Sequence, residues 1–280
     1  MKFEKWQALG NDYVIFEAAD LPWETTEARI QRICDPHFGI GSDGVLLISE
    51  SNDPSIVAEL RIFNPDGSEA ELSGNGAREA ILYLRRHGWT DADTFTIMTV
   101  SGPITPTITS DRTCSVEMGR ASTESKDYPD GSPDGRGTLA LGDRDWKFQH
   151  VSIGNPQCAI EVGADLEELD LDRIGPGIEH NGIFPNRTNV SFYRASGSRV
   201  RARIFERGVG ETLSSGTGAS GAAVAAFIAG APSPITVELD GGELQVEISE
   251  DLDVTLTGWA EPIFAGELSP EMIAAVADLG

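Results

Sequence analysis

Residues 61–80 read RIFNPDGSEAELSGNGAREA, and residues 203–222 read RIFERGVGETLSSGTGASGA. The two stretches align without a gap at an offset of 142 residues, and nine of their twenty positions are identical. Both contain Ser-Gly-x-Gly-Ala, beginning at Ser73 and at Ser215, and both lead into a run of small apolar residues. A segment that recurs at this spacing indicates two similar halves. We therefore expect one pseudo-symmetric ligand site between two domains.

The residues that follow each repeat predict a helix. Four apolar side chains share one face of a predicted helix over residues 77–87, and Gly88 ends it. The second helix, over residues 219–229, is apolar on every side, which is typical of a helix buried in the middle of a domain. The predicted fold class is α+β, with two pseudo-symmetric homologous domains, each a curved, mostly antiparallel sheet or barrel around a central helix.

The composition excludes several classes of partner. The 280 residues carry a net charge of -24 with only four lysines, which argues against nucleic-acid binding because phosphate contacts need clusters of Lys and Arg. No apolar run reaches the roughly 18 residues of a membrane span. The opening MKFEKWQALG has no apolar signal-peptide core, so a cytoplasmic location is expected. The three cysteines and four histidines lack metal-ligand spacing, so no metal site is predicted.

The two glycine-rich helix starts are candidate anion-binding sites. The first N–H groups of a helix have no intrahelical partner, and the helix dipole adds partial positive charge there. Glycine lets an anion approach this backbone closely. The alternative is that Ser73 and Ser215 are ordinary N-caps. Neither copy has the lysine of a Walker loop or the GxGxxG spacing of a dinucleotide-binding turn, so a nucleotide cofactor is not expected.

With these residues in view, the chain resembles the diaminopimelate epimerases, which need no cofactor and are related to the proline racemases. Six motifs carry the resemblance, in order along nearly the whole chain: ALGNDYVIFE, HFGIGSDGVLLI, FNPDGSEAELSGNGAR, SIGNPQ, FPNRTNV and ERGVGETLSSGTGAS. The resemblance implies inversion at the α-carbon of LL-2,6-diaminopimelate to the meso form, a step of lysine and peptidoglycan precursor biosynthesis. A forming carbanion needs a preorganised, electropositive site that excludes water.

The resemblance also assigns candidate site residues. The matches at the two helix starts, which would hold the α-carboxylate, are Gly74, Asn75, Gly216 and Thr217. The matches to the family's other substrate-binding positions are Asn11, Asn64, Asn155, Asn189, Glu206 and Arg207. Of these, Arg207 would hold the distal carboxylate with two hydrogen bonds, and Glu206 would accept a hydrogen bond from an ammonium group. Taken singly, each asparagine also fits a turn.

The chain departs from the family at the positions closest to the chemistry. The family's proton-transfer pair is two cysteines, and Ser73 and Ser215 occupy those positions, while Gln157 stands where a motif histidine is usual. A cysteine pKa near ~8.5 falls to roughly 3.5–7.5 at a helix N-terminus. A serine hydroxyl is far less acidic and needs an adjacent base, which Gln157 cannot supply. The two-thiol reaction is therefore expected to be severely slowed.

Four interpretations of the serines remain open. The chain is an engineered double variant, a natural epimerase with a base that the sequence does not identify, a homologue with a one-sided reaction such as dehydration, or a catalytically silent protein that binds an amino acid. The predicted domains are residues 1–118 with 261–280 and residues 119–260, with the active site in the cleft between them. The resemblance implies the return of the last segment to the first domain, and it also suggests a homodimer.

Overall fold

The computed structural model describes residues 1–70 and 73–279. Glu71 and Leu72 of the first repeat and the terminal Gly280 lie outside the described residues. The chain divides into two compact units, of which the first is Met1–Val116 with Gly258–Gly280 and the second is Glu117–Thr257. Within the described ranges, no helix is both long and apolar enough to cross a membrane.

The regular elements are numbered in chain order. The strands are β1 (Lys2–Ala8), β2 (Asn11–Glu17), β3 (Val45–Ser49), β4 (Ala58–Phe63), β5 (Glu69–Ala70), β6 (Ile97–Thr99), β7 (Gly102–Ile104), β8 (Thr107–Ser110), β9 (Thr113–Arg120), β10 (Arg136–Leu141), β11 (Arg144–Ser152), β12 (Pro156–Glu161), β13 (Asn189–Ser196), β14 (Arg199–Glu206), β15 (Gly210–Thr212), β16 (Ile235–Leu239), β17 (Gly242–Ile248), β18 (Asp253–Trp259) and β19 (Glu261–Glu267). The α-helices are α1 (Glu27–Cys34), α2 (Gly74–Arg86), α3 (Leu171–Glu179), α4 (Gly216–Ile228) and α5 (Pro270–Ala277).

The two units build their sheets with the same connections. In the first unit the strands lie in the order β19-β1-β2-β3-β4-β6-β7, with β5 paired to β4. β2 is parallel to β3 and β4 is parallel to β6, while the other neighbours in this order are antiparallel. In the second unit the order is β10-β11-β12-β13-β14-β16-β17-β18, with β15 paired to β14. Its parallel pairs are β12 with β13 and β14 with β16, at the equivalent places.

Each unit packs its sheet against one central helix. In the first unit α2 contacts β1, β2, β3 and β4, and in the second α4 contacts β11, β12, β13, β14, β16 and β17. Every α4 residue from Gly218 to Ala226 is buried, as its apolar composition predicted. The predicted α+β class, with two pseudo-symmetric domains of mostly antiparallel strands around central helices, is confirmed.

Both central helices begin three residues before the predicted positions. α2 begins at Gly74 and α4 at Gly216, directly after the serine that caps each of them. The apolar pattern identifies only the part of a helix that has an apolar face, and the first turn of each helix lacks one. The cap residue marks the start instead.

The second glycine of each Ser-Gly-x-Gly motif lies close to a side chain of the sheet. A Cβ atom on Gly76 would lie 3.0 Å from Leu46 Cδ2 in β3, and one on Gly218 would lie 2.7 Å from Ile204 Cγ2 in β14. A larger residue would therefore force the first helical turn away from the sheet. This constraint accounts for part of the identity between the two repeats.

Candidate active site

Ser73 caps the first central helix and contacts a tyrosine. Its backbone is extended, with φ −124° and ψ 122°, and its Oγ accepts a hydrogen bond from the Gly76 N–H at 3.2 Å. The same oxygen accepts a hydrogen bond from the Tyr13 hydroxyl, also at 3.2 Å. Ser73 is thus an N-cap, as the alternative interpretation of the repeat stated, and its hydroxyl oxygen has a phenol as a second donor.

A chain of polar side chains follows the start of α2. Asn75 Nδ2 donates to Asn11 Oδ1 at 3.3 Å, and Asn11 Nδ2 donates to Asp43 Oδ2 at 3.0 Å. The structure therefore brings Asn11 and Asn75 together. Asn64 has different contacts, because its Nδ2 donates to Ser68 Oγ at 3.0 Å within the turn after β4.

Ser215 caps the second central helix and contacts a carboxylate. Its Oγ accepts a hydrogen bond from the Gly218 N–H at 3.2 Å and donates one to Glu206 Oε2 at 2.9 Å. The other oxygen of Glu206 accepts from Thr212 Oγ1 at 2.7 Å. The short β15 strand pairs with the end of β14, so that Glu206 lies opposite Gly210 and the chain returns toward the helix start. This hairpin brings Glu206 to Ser215.

Burial changes the acidity of Glu206. Removal of the carboxylate from water raises the pKa of Glu206, and the hydrogen bonds from Thr212 and Ser215 partly oppose that rise because they stabilise the ionised form. A carboxylate with a raised pKa is a stronger proton acceptor than an ordinary one. The pair of Glu206 and Ser215 is therefore suited to proton transfer.

The second helix start has its own amide network. Asn155 Nδ2 donates to Thr217 Oγ1 at 3.2 Å, which parallels the contact between Asn11 and Asn75 in the first unit. Gln157 Nε2 donates to Asn155 Oδ1 at 2.7 Å, and the side chain of Gln157 packs where Gly221 leaves room for it. Gln157 thus orients Asn155, and its side-chain hydrogen bond among the described residues goes to Asn155 and not to Ser215.

The turn that carries Arg207 is held by buried polar groups. Asn189 Oδ1 accepts from the Arg207 main-chain N–H at 2.9 Å, and Asn189 Nδ2 donates to the Pro156 carbonyl at 3.0 Å. Glu179, which is 3% exposed, accepts from the Gly208 N–H at 2.9 Å. The amide oxygen and the amide nitrogen of Asn189 therefore both form hydrogen bonds with main-chain groups. These contacts position the main chain of Arg207.

Several contacting residues were absent from the sequence-based site. These are Tyr13, Asp43, Arg78, Glu179 and Thr212. Tyr13 lies in the same quoted motif as Asn11, and Thr212 lies in the second repeat, so both were within the segments that carried the resemblance. Their contacts depend on strand register, which the motifs do not encode.

Glu79, on α2, is expected to make the stability of the protein depend on pH. Its side chain is fully buried, and within the described ranges no side chain forms a hydrogen bond with either carboxyl oxygen. Burial raises the pKa of Glu79 well above its usual value, and the attraction of Arg78 offsets only part of this. In the unfolded chain a glutamate titrates near ~4.3. The folded protein therefore retains a proton that the unfolded chain loses, and stability should fall as pH rises above about 4.3 toward the folded pKa.

We expect Glu79→Met to remove this pH dependence. The variant should raise the free energy of unfolding by about 1–3 kcal/mol at pH 8, the usual cost of an unsatisfied buried polar group, and by less at pH 5. Urea unfolding at the two pH values measures the difference. Glu247→Met is the matched control, because Glu247 is exposed and its replacement removes one negative charge without changing the core. An equal gain from both variants would contradict a special role for Glu79.

The chain matches one protein family over most of its length. The family model for diaminopimelate epimerase matches residues 3–124 and 149–261. Diaminopimelate epimerase 2 of Nostoc sp. is 40% identical over 280 residues and covers 98% of both chains. The diaminopimelate epimerase of Pelotomaculum thermopropionicum is 37% identical, over 95% of this chain and 98% of its own.

Solved structures share the fold at lower identity. A Bacillus anthracis protein of the PhzF phenazine biosynthesis family aligns with a TM-score of 0.70 at 20% identity, over 96% of this chain and 99% of its own. A hydroxyproline epimerase from Agrobacterium vitis aligns with a TM-score of 0.66 at 14% identity, over 98% and 94%. At these identities the two solved structures show that the chain shares their fold, and they carry no information about its activity. Because the family model and the sequence relatives cover nearly the whole chain, the protein belongs to the diaminopimelate epimerase family.

Proposed function

We propose that this protein is a cofactor-independent isomerase that inverts the α-carbon of LL-2,6-diaminopimelate to give the meso form. The observation that carries the proposal is the hydrogen bond of 2.9 Å from Ser215 Oγ to Glu206 Oε2 at the start of α4. It provides one of the two serines with the adjacent base that a hydroxyl needs. This is the natural-epimerase interpretation of the sequence, with Glu206 as the base.

Ser215 and Glu206 are the proposed base. The α-proton moves to Ser215 Oγ while the hydroxyl proton of Ser215 moves to Glu206 Oε2, and the electron pair of the C–H bond stays on the α-carbon. No free alkoxide forms in this exchange, so the low acidity of serine is partly circumvented. The raised pKa of Glu206 favours the transfer, because a general base works best when its pKa lies close to the working pH.

Ser73 is the proposed acid. Its oxygen already accepts hydrogen bonds from the Tyr13 hydroxyl and the Gly76 N–H. The Ser73 hydroxyl proton moves to the carbanion, and the Tyr13 hydroxyl proton moves to Ser73 Oγ. The enzyme is restored when the Tyr13 phenolate takes a proton from solvent and Glu206 releases its proton to solvent. The two serines thus differ in their surroundings, since Ser215 donates to a carboxylate and Ser73 accepts from a phenol. This difference favours faster proton removal by Ser215 than by Ser73.

The remaining site residues are proposed to bind the substrate. Main-chain N–H groups at Gly74 and Gly216, with Asn75 and Thr217, bind the α-carboxylate and stabilise the charge that develops on it. Arg207 binds the distal carboxylate, and Asn189 holds its main chain in place. Asn11 and Asn155 keep Asn75 and Thr217 oriented, and Asn64 contributes a polar group from the turn after β4.

The test is incubation with LL-diaminopimelate in deuterated water. We expect deuterium at the α-carbon and formation of the meso isomer, at a rate well below that of a thiol-based reaction because the hydroxyls are poorer acids and bases. We also expect the LL and meso isomers to exchange their α-protons at unequal rates. Mass spectrometry of the recovered amino acids measures both quantities. Absence of exchange together with absence of the meso product would reject the proposed function.

A second candidate is a homologue that binds an amino acid without turning it over. The cap geometry favours it, because both serine oxygens accept hydrogen bonds from main-chain N–H groups and stabilise the helices whether or not they transfer protons. Calorimetric binding of diaminopimelate without α-proton exchange would support this candidate. The predictions of a cytoplasmic location and of a homodimer stay predictions.

A further inference from the structure

A buried arginine lies beneath the start of α2. Arg78 is 1% exposed, and its Nη1 donates to the carbonyl of Gly74, the first residue of the helix, at 3.0 Å. Its Nη2 donates to Asn75 Oδ1. Its Nε has no hydrogen-bond partner among the described residues. Both hydrogen bonds therefore end on residues that are proposed to hold the α-carboxylate.

No carboxylate in residues 1–70 or 73–279 forms a hydrogen bond with the Arg78 guanidinium. Arginine stays protonated in proteins, so the guanidinium carries its charge even here. The neighbouring Glu79 makes no side-chain hydrogen bond to it, and burial raises the pKa of that carboxyl well above its usual value, although the charge of Arg78 opposes part of the rise. The nearby Cys114 thiol is neutral, because burial raises its pKa to about 12. An uncompensated buried cation is costly, and an anion that binds close to it would reduce that cost.

The second repeat shows that the helix start does not need a cation. The residue at the same offset of 142 is Ser220, whose Oγ donates to the Gly216 carbonyl at 2.8 Å. Gly216 is the first residue of α4, just as Gly74 is the first residue of α2. A serine hydroxyl thus makes the same main-chain contact without any charge. The charge of the Arg78 guanidinium is therefore not needed for the hydrogen bond to the first carbonyl of the helix.

Arg78 also determines which way the Asn75 amide points. A guanidinium has donors only, so the Asn75 atom that it contacts must be the oxygen. The amide nitrogen is thereby directed toward Asn11, whose Oδ1 lies 3.3 Å away. A charged donor on Oδ1 polarises the amide and strengthens its N–H groups as donors.

We propose that Arg78 is a positioning residue for the substrate's α-carboxylate: its buried guanidinium fixes the orientation of the Asn75 amide by binding the amide oxygen, and its charge attracts a carboxylate at the start of α2. The inference rests on the proposed function, in which this helix start binds the α-carboxylate. It assigns to Arg78 a role that the equivalent Ser220 does not have.

The first experiment measures the affinity for LL-diaminopimelate by calorimetry. We expect Arg78→Met to weaken binding about tenfold or more, and Arg78→Lys to recover part of the loss because it restores the charge without the two-pronged contact. Ser220→Ala is the matched control, since it removes the equivalent carbonyl contact in the second unit and should change affinity less than threefold. Melting temperatures confirm that each variant is folded. Wild-type affinity in Arg78→Met, or no recovery in Arg78→Lys, would overturn the inference.

A second experiment separates this inference from the proposed function. Crystals of the wild type and of Arg78→Met are grown in sodium bromide, and anomalous scattering locates bound bromide. We expect a bromide at the start of α2 in the wild type and none there in the variant, whether or not diaminopimelate is a substrate. Equal occupancy in both proteins, or no bromide in either, would overturn the role of Arg78. Bromide binding combined with no diaminopimelate binding would reject the proposed substrate alone.

Discussion

Glu206→Gln is expected to lower the rate of α-proton exchange by about 10²–10⁴-fold, the usual contribution of a positioned general base. Glutamine has nearly the same shape and can still accept a hydrogen bond from Ser215, but it cannot take the proton that the hydroxyl must lose. Substrate binding should change much less than the rate, so the loss should appear in kcat more than in KM. The rate at which the α-proton of diaminopimelate exchanges for deuterium in deuterated water measures the loss of activity.

The pH dependence gives an independent signature of this base. Exchange requires ionised Glu206, so the rate should rise with pH through the Glu206 pKa, which burial has raised above its usual value. The Thr212 hydrogen bond lowers that pKa, so Thr212→Val should move the rise to higher pH. A role of Glu206 that is only structural would leave the position of the rise unchanged.

A matched control lies on the same hairpin. Glu211 forms an ion pair with Arg203 across β14 and β15, and both of its carboxyl oxygens accept hydrogen bonds from Arg203. Glu211→Gln removes one carboxylate from the hairpin without touching the proton-transfer pair, so exchange should stay within about threefold of the wild type, as expected for the loss of a partly exposed ion pair. Equal losses in Glu206→Gln and Glu211→Gln would show that hairpin stability, and not proton transfer, limits the rate.

The sequence was sufficient for the fold because the deciding signals are local or periodic. The repeat predicted two similar halves, and the apolar pattern after each repeat predicted the buried central helices. The identical ion pairs of Arg61 with Glu69 and Arg203 with Glu211 extend the likeness to the hairpin before each helix. These features depend on neighbours in the chain, so a single sequence contains them.

The site contacts depend on register and could not be predicted in the same way. Glu206 lies within hydrogen-bonding distance of Ser215 because strands β14 and β15 pair in a register that places Glu206 opposite Gly210. The contact of Tyr13 with Ser73 joins residues 60 positions apart. The family resemblance implied only that Glu206 accepts a hydrogen bond from an ammonium group of the substrate. The structure adds the hydrogen bond that Glu206 accepts from Ser215. The amide of Asn189 is likewise committed to the main chain, which no motif indicates.

The double variant Ser73→Cys with Ser215→Cys is expected to increase formation of the meso isomer by about 10²-fold or more, because a thiolate replaces the hydroxyl as the base and a thiol replaces the hydroxyl as the acid. A thiol at a helix N-terminus has a lowered pKa, and each site already presents a main-chain donor, from Gly76 and from Gly218, that would stabilise the thiolate. Glu206 would act as the proton acceptor for the second thiol. The initial rate of meso formation from the LL isomer measures the gain.

The single variants test whether the two serines act in different steps. Ser215→Cys places a thiol beside a carboxylate and should accelerate proton exchange more than Ser73→Cys, whose thiol would lie beside the Tyr13 phenol and the Gly76 N–H. Neither alone should equal the double variant, because inversion needs both a base and an acid. Ser73→Cys with Ser220→Cys is the matched control, since Ser220 bonds to a helix carbonyl and has no place in the reaction. Two outcomes would show that the two serines are not the proton-transfer positions. The first is an equal rate of meso formation in this control and in Ser73→Cys with Ser215→Cys. The second is a Ser73→Cys with Ser215→Cys variant that folds and binds substrate but forms the meso isomer no faster than the wild type.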